Sequence, residues 1–198
     1  MGFDLYGLSP QVNTPKSIIL SFWTGKDGFV MWDKMDETDR DKYFKANNKH
    51  KEENPGEYYR SNVWWWRPMW EYICENCDDI LSEKDKEHGE FNDGWKISKT
   101  KAKKIAARIR RLDKQRKIME YELKYKKFIT SLPLEECNIC DGTGKRLPPP
   151  KTGAGEAHCN GCDGKGKRKH LNCHYPFESQ TVIEFAEFCE QSGGFEIC

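Results

Sequence analysis

The chain is poor in aliphatic residues and has no long apolar run. Leu, Ile, Val and Phe account for only 36 of its 198 residues, a fraction at which a strongly charged chain would stay unfolded. The formal net charge is only +1, however, and seven Trp and eight Tyr supply buried area that the aliphatic count misses. We therefore expect a folded protein with an aromatic core.

Targeting and membrane-spanning segments are also missing from the sequence. The longest apolar run, near residues 17–23, is far shorter than the roughly 20 residues that a membrane-spanning helix needs. No basic start followed by an apolar segment and a cleavage site is present. We expect a cytoplasmic protein with no membrane partner.

Catalytic motifs are lacking as well. The sequence has no Gly-rich phosphate loop, no motif around a Ser or Cys nucleophile and no paired His. Acidic residues such as Asp4, Asp33 and Asp36 are plentiful but show no diagnostic spacing. The sequence identifies no catalytic residue and favours a binding protein over an enzyme.

Cysteine, by contrast, is abundant, and four of the nine cysteines lie in two copies of one octapeptide. The copies are Cys137-Asn-Ile-Cys140-Asp-Gly-Thr-Gly144 and Cys159-Asn-Gly-Cys162-Asp-Gly-Lys-Gly166. The resulting C-x2-C-x18-C-x2-C spacing is typical of a zinc site, because one tight turn presents both sulfurs of a pair. Four thiolates leave no open coordination position, so we expect one structural zinc ion per chain. His158 is an alternative to one of the cysteine ligands.

The repeated C-x-x-C-x-G-x-G motif resembles the cysteine-rich zinc module of the DnaJ co-chaperones, over residues 137–166 only. In that family two such repeats hold each zinc, which implies metal ligation by Cys137, Cys140, Cys159 and Cys162. The family typically has four repeats, whereas this chain has two, and the His-Pro-Asp tripeptide of the J-domain is missing. Stimulation of a partner chaperone is therefore not implied. The rest of the chain resembles small phage-encoded or bacterial proteins, which implies no activity.

A further C-x-x-C pair, Cys74 and Cys77, lies in a segment with helical spacing. It could be a redox pair, or half of a second metal site completed by Cys173 and His174. Cysteines three residues apart on a helix also serve as small apolar fillers. We favour packing for this pair.

Residues 58–72 form an aromatic segment that predicts a buried helix. Trp66, Trp70 and Ile73 recur at helical spacing, next to a second apolar stripe. Asn62 is a candidate N-cap, and Pro68 either opens the helix or kinks it. The alternative is a pocket for a nucleotide, in which rings stack on the base and Arg pairs with phosphate. Its residues would be Arg60, Trp64, Trp65 and Arg67.

Residues 96–117 hold eleven Lys and Arg against one acidic residue, whereas residues 33–90 are acid-rich. Such a basic segment either binds an anionic partner such as nucleic acid or forms a solvated face. The candidate anion-binding residues are Lys101, Lys104, Arg108 and Arg111 on this segment, together with Lys165, Lys167, Arg168 and Lys169 in and after the second cysteine repeat.

These patterns predict a mostly α fold with a few short strands and a small zinc-stapled C-terminal module. We expect a helical, aromatic-rich domain over residues 1–132, with a long basic helix at about 98–130. A zinc module with a C-terminal helix packed on it would occupy residues 133–198. The first thirty residues, including Ile18 to Trp23, look strand-like or irregular, and residues 82–95 look like a loop. The last helix would begin at Ser179 or Thr181 and end near residues 193–194.

Three functions follow from these expectations. The first is a non-enzymatic, zinc-stabilised protein, consistent with a phage origin, that binds a host macromolecule or nucleic acid through the basic helix. The second, from a different class, is a small-ligand protein or enzyme with a pocket at residues 64–70. The third, a chaperone-like holder of unfolded segments, rests only on the zinc-module resemblance.

Overall fold

The computed structural model describes residues 2–146 and 158–198, of which about half are helical. In this part the helices are α1 (Ile18–Trp23), α2 (Glu37–Glu53), α3 (Val63–Asn76), α4 (Glu83–His88), α5 (Lys99–Lys114), α6 (Lys117–Ser131) and α7 (Ser179–Gln191). The strands are β1 (Gly2–Gly7), β2 (Tyr58–Asn62), β3 (Trp95–Ser98), β4 (Glu135–Glu136), β5 (Lys167–Arg168) and β6 (Gly194–Ile197). None of the described helices is long and apolar enough to cross a bilayer.

The chain divides into two units. The first comprises Met1–Met119 and Glu178–Cys198, and the second comprises Glu120–Phe177. The first unit contains a four-stranded sheet in the order β2-β1-β6-β3, with antiparallel neighbours throughout. Alternation along β1 buries Phe3 and Leu5, and β6 buries Phe195 and Ile197.

Residues 63–72 of the aromatic segment lie in α3, which supplies the centre of the first unit's core, whereas residues 58–62 form β2. Asn62 caps this helix, since its side chain accepts hydrogen bonds from the N–H groups at the start of α3. Trp66 stacks on Phe3 and on Trp70, with ring centroids 5.0 and 5.3 Å apart. Its indole N–H donates to the carbonyl oxygen of Gly89 at 2.7 Å. Trp66 and Trp70 are therefore core residues whose polar atoms are also satisfied.

The C-terminal segment belongs to the first unit, contrary to its expected place on the zinc module. Helix α7 packs against α5 and β2, and β6 then pairs with both β1 and β3. Helix α7 is held in the first unit by burial of its apolar side chains, since Phe185 and Phe188 are buried and their rings contact Tyr59 of β2. The start of α7 at Ser179 agrees with the sequence prediction.

Three local predictions also differ from the structure. The segment expected to be strand-like forms α1, because the Ser17 side chain caps it by accepting from the N–H of Leu20. The expected loop at 82–95 contains α4, which begins with a capping box between Ser82 and Asp85. The single basic helix is two helices, since Arg116 adopts a left-handed conformation with φ of 59° between α5 and α6.

The second unit is built from α6, the cysteine segment and a short 3-10 helix at Leu171–His174. Strands β4 and β5 pair antiparallel at the base of the cysteine segment, with Glu135 opposite Arg168. Phe177 packs against the Tyr121 and Tyr125 rings of α6, at centroid distances of 4.7 and 5.8 Å. These contacts anchor the residues that follow the cysteine segment to α6.

Candidate metal centre and basic surfaces

Two loops with the same backbone pattern present the cysteines of the repeated octapeptide. We call residues 137–144, which follow β4, the first knuckle, and residues 159–166, which precede β5, the second knuckle. In each, the carbonyl oxygen of the first cysteine accepts hydrogen bonds from the N–H of the second cysteine and from that of the next glycine. The distances are 3.3 and 3.2 Å in the first knuckle and 3.4 and 3.0 Å in the second. The repeat in sequence is thus a repeat in structure.

Backbone N–H groups also point at the cysteine sulfurs. The N–H of Gly144 donates to Sγ of Cys140 at 3.3 Å, and that of Gly166 donates to Sγ of Cys162 at 3.2 Å. The N–H of Ile139, together with the neighbouring thiols, lowers the pKa of the Cys137 thiol to about 7, whereas burial raises the pKa of the Cys140 thiol. Donors aimed at sulfur favour the thiolate, which is the form that binds a metal.

The four sulfurs lie at distances that suit one tetrahedral ion. Sγ of Cys137 is 3.9 Å from that of Cys159, and Sγ of Cys140 is 3.7 Å from that of Cys162. All four lie within 4.8 Å of one another. Around a zinc ion with Zn–S bonds of about 2.3 Å, tetrahedral geometry separates the sulfurs by about 3.8 Å. Disulfide bonds would need about 2.05 Å. The cysteine cluster can therefore hold a metal ion.

No other group of candidate ligands comes together in the described part of the chain. The four knuckle cysteines are the only set of three or more His, Cys, Asp or Glu side chains there that is close enough to share an ion. Cys77 is buried and Cys74 half-buried on α3. Burial raises the pKa of Cys74 to about 12 and that of Cys77 to about 11, so both thiols stay protonated at neutral pH. This agrees with a packing role for the pair.

A basic groove of about 610 Å³ lies beside the second knuckle. The side chains of Lys165, Lys167 and Lys169 are exposed along it, and none of the three forms an ion pair with a described residue. Arg168 also lines the groove, and its Nε is buried without a hydrogen-bond acceptor among the described residues. The remaining lining is Leu134, Gly161, Cys162, Asp163 and His174. The basic run of residues 165–169, which the sequence indicated as a candidate anion-binding segment, therefore lies along this groove.

The four candidate cations of α5 fall into two classes. Lys101 forms a salt bridge with the buried carboxylate of Asp85. Arg108 donates to Asp79 at 2.7 Å and to the carbonyl oxygen of Asn76. Both cations are therefore engaged within the protein. Lys104 and Arg111, on the other hand, are exposed and make no ion pair with a described residue. They line a cavity of about 400 Å³ together with Arg108.

The cavity beside Arg60 does not include the other three candidate pocket residues, Trp64, Trp65 and Arg67. Trp64 and Arg67 are exposed and Trp65 is half-buried. Arg60 lines a cavity of about 590 Å³ next to β2. Its lining also includes Lys51 and three carboxylates, Glu52, Glu184 and Glu187. A nucleotide phosphate would meet more acid than base there, so this cavity does not favour the nucleotide pocket.

Known proteins offer no further guide to the site. No family model matches this chain, and neither does any curated protein or any solved structure. The function must therefore be argued from the cysteine cluster and the charged surfaces themselves.

Proposed function

We propose that this protein is a non-enzymatic binding protein that holds one zinc ion and engages nucleic acid through the basic groove. Zinc is the ion favoured by four thiolates in a tetrahedron of these dimensions. The ion is structural, because all four ligand cysteines are at most 6% exposed and complete its coordination, leaving no position for a substrate.

The basic groove is the observation that carries the nucleic-acid proposal. Lys165, Lys167 and Lys169 occupy every second position of the chain. Their positive charges therefore form a row that can contact successive phosphates of a nucleic-acid strand. Arg168 lines the same groove, and its guanidinium is a group that binds phosphate oxygens well. Leu134 supplies an apolar wall that a sugar or base can contact.

The zinc ion and the basic groove are linked through the backbone. The N–H of Lys165 donates to the carbonyl oxygen of Cys162 at 2.9 Å, and Lys167 and Arg168 form β5 directly after the second knuckle. Removing the metal would release the knuckle and with it the spacing of these cations. Nucleic-acid binding should consequently require zinc.

Lys104 and Arg111 of α5 form a separate and smaller basic surface. Because Asp79 neutralises Arg108 between them, we rank this surface below the groove as a phosphate contact. Its contribution can be measured separately with a Lys104→Glu, Arg111→Glu variant.

Fluorescence anisotropy with short labelled single strands and duplexes tests the proposal. We expect binding that weakens steeply with salt, with a log–log slope of about −0.7 for each single-strand phosphate contacted. Lys165→Glu with Lys167→Glu should abolish most of this binding. The matched control is Lys124→Glu with Lys127→Glu, which makes the same charge change at exposed positions of α6 in the same unit. Equal losses in the two variants, or no binding at low salt, would contradict the proposal.

A further inference from the structure

Strand β2 lies at one edge of the four-stranded sheet, where it pairs with β1 on one side only. Apart from this pairing, no hydrogen bond joins the main chain of Tyr58, Tyr59 or Arg60 to a described residue. The outward N–H and carbonyl groups of an edge strand form a template with which another strand can pair. Strand β2 therefore offers a main-chain binding edge.

The cavity of about 590 Å³ next to β2 runs along this edge. Three consecutive residues of the strand, Tyr58, Tyr59 and Arg60, line it. Successive side chains of a strand point to opposite faces of the sheet, so a cavity that touches all three cannot lie over one face alone. It lies beside the edge itself, and we call it the edge groove.

Helix α7 forms one wall of the edge groove. Gln180, Glu184, Glu187 and Phe188 line it, and their spacing places them on one face of the helix. At 1.5 Å per residue this wall is about 12 Å long. An extended segment rises about 3.3 Å per residue, so three to four residues of a peptide match the length of the wall.

The charge of the edge groove favours a basic occupant. Three carboxylates line it and form no ion pair with a described residue, namely Glu52, Glu184 and Glu187. Of the two cations in the lining, Arg60 lies 3.6 Å from the carboxylate of Asp4, whereas Lys51 lies over the Tyr58 ring. Lys51 alone therefore offsets three carboxylates, and the groove attracts cations and repels phosphate.

The same carboxylates argue against a second copy of the chain on this edge. A two-fold contact between two β2 edges uses the same surface twice, so it would bring Glu184 and Glu187 of both copies together, and like charges repel. We propose that the edge groove binds an extended basic peptide, which pairs with β2 as a fifth strand and directs alternate Lys or Arg side chains at the carboxylates of α7. This inference goes beyond the proposed function and uses residues of the other unit, so each can fail without the other.

Fluorescence anisotropy with a labelled eight-residue peptide of alternating Lys and Thr tests the charge of the groove on the full-length, zinc-loaded chain. We expect saturable binding, which Glu184→Gln with Glu187→Gln should weaken about fivefold or more, because two ion pairs are lost. Both side chains are exposed, so the variant should fold, which a thermal melt can check. The matched control is Glu87→Gln with Glu90→Gln, the same charge change at exposed positions outside the edge groove.

A second peptide tests the pairing with β2. The same sequence methylated at every backbone nitrogen keeps its charge but cannot donate to the strand, so its binding should be largely lost. Hydrogen exchange in β2 should slow when the unmethylated peptide binds.

Four outcomes would overturn the proposal. The first is no binding of the unmethylated peptide, and the second is equal binding of both peptides, which would show attraction by charge alone. The third is an equal loss of binding in the two pairs of Gln variants. The fourth is a homodimer in which the amides of β2 are protected without peptide, which would assign the edge to a second copy of the chain.

Discussion

The backbone N–H of Cys159 donates a 2.7 Å hydrogen bond to the carbonyl oxygen of Gly144. The last residue of the first knuckle thus holds the first cysteine of the second. The symmetric bond runs from the N–H of Cys137 to the carbonyl oxygen of Gly166, at 2.9 Å. Two loops that are separated in sequence are locked together in this way, which sets the four sulfurs at metal-binding distances.

This close crossing predicts a specific need for glycine at position 144. A Cβ there would lie 2.3 Å from the carbonyl oxygen of Gly164, in a backbone conformation with φ of 73°. Gly144→Ala should therefore lower zinc affinity strongly, as measured by competition with a chromophoric chelator. The atoms that this Cβ would meet belong to the backbone of Gly164 and Gly166, so the backbone itself would have to move.

Gly142→Ala is the matched control for this prediction. Its φ of 74° is the same, but a Cβ there would meet only the Glu136 side chain at 3.7 Å, an ordinary contact. It should cost about 1–2 kcal/mol of left-handed strain alone. If Gly144→Ala and Gly142→Ala weakened zinc binding equally, the close approach of Gly144 to Gly164 would not be what determines zinc affinity.

Metal removal should unfold one unit and spare the other. The free energy of zinc binding stabilises the folded form of a small cysteine site. A strong chelator should therefore abolish the protection of backbone amides from hydrogen exchange across residues 137–144 and 159–166. Helices α5 and α7 should stay protected, because their apolar faces pack within the first unit. Hydrogen exchange with mass spectrometry measures both. Cys159→Ser should lose the same protection as the chelated protein, whereas Cys198→Ser, at an exposed cysteine, should keep it. Loss of protection in α5 after chelation, or knuckles that stay protected, would contradict this account.

The tryptophans of α3 should differ sharply in their contribution to stability. Trp66 is fully buried, so Trp66→Ala should cost about 3–5 kcal/mol in the free energy of unfolding through the cavity that it leaves. Trp64, on the same helix, is 42% exposed, and Trp64→Ala should cost less than about 1 kcal/mol. Denaturant titrations of the two variants check this. Similar losses would mean that Trp64 is also a core residue.

Asp85 should make stability depend on pH in the acid range. Burial alone would raise the pKa of this carboxyl, but hydrogen bonds from Lys101, Ser82 and Trp95 lower it to about 2. Because the folded pKa is lowered, the stabilisation is present above about pH 4 and is lost as the pH falls toward 2. The shift corresponds to at most about 2.5 kcal/mol, and the partial exposure of Lys101 reduces our expectation to about 1–2 kcal/mol.

Asp85→Asn tests this pH dependence by denaturant titration. The variant should be less stable than wild type at pH 7, and the difference should close as the pH approaches 2. Asp41→Asn, at an exposed position of α2, should show no such difference. If the difference in stability between wild type and Asp85→Asn is the same at pH 7 and pH 2, the charge of Asp85 does not stabilise the fold.

The sequence predicted the features that depend on local spacing. The repeated octapeptide predicted the cysteine cluster, because two residues between cysteines and two later glycines determine a tight turn by themselves. The helical spacing of Trp66 and Trp70 likewise predicted α3, and Asn62 its cap. Each octapeptide, and the stretch from Asn62 to Trp70, is shorter than fifteen residues.

The features that the sequence did not predict depend on distant partners. The strand β6 at residues 194–197 was not predicted, because its pairing with β1 involves residues nearly two hundred positions away. The pairing of Lys101 with Asp85 is equally nonlocal, so the basic segment looked more available to an anion than it is. Residues 18–23 looked strand-like because of their β-branched and aromatic content, whereas in the structure the Ser17 cap begins a helix there.

X-ray absorption at the zinc K-edge of the purified chain, combined with native mass spectrometry, tests the central claim most directly. We predict one zinc ion per chain, coordinated by four sulfurs at about 2.3 Å, in both the wild-type and the Cys198→Ser protein. A chain without zinc, or a zinc shell with nitrogen or oxygen in place of one of the four sulfurs, would contradict the account.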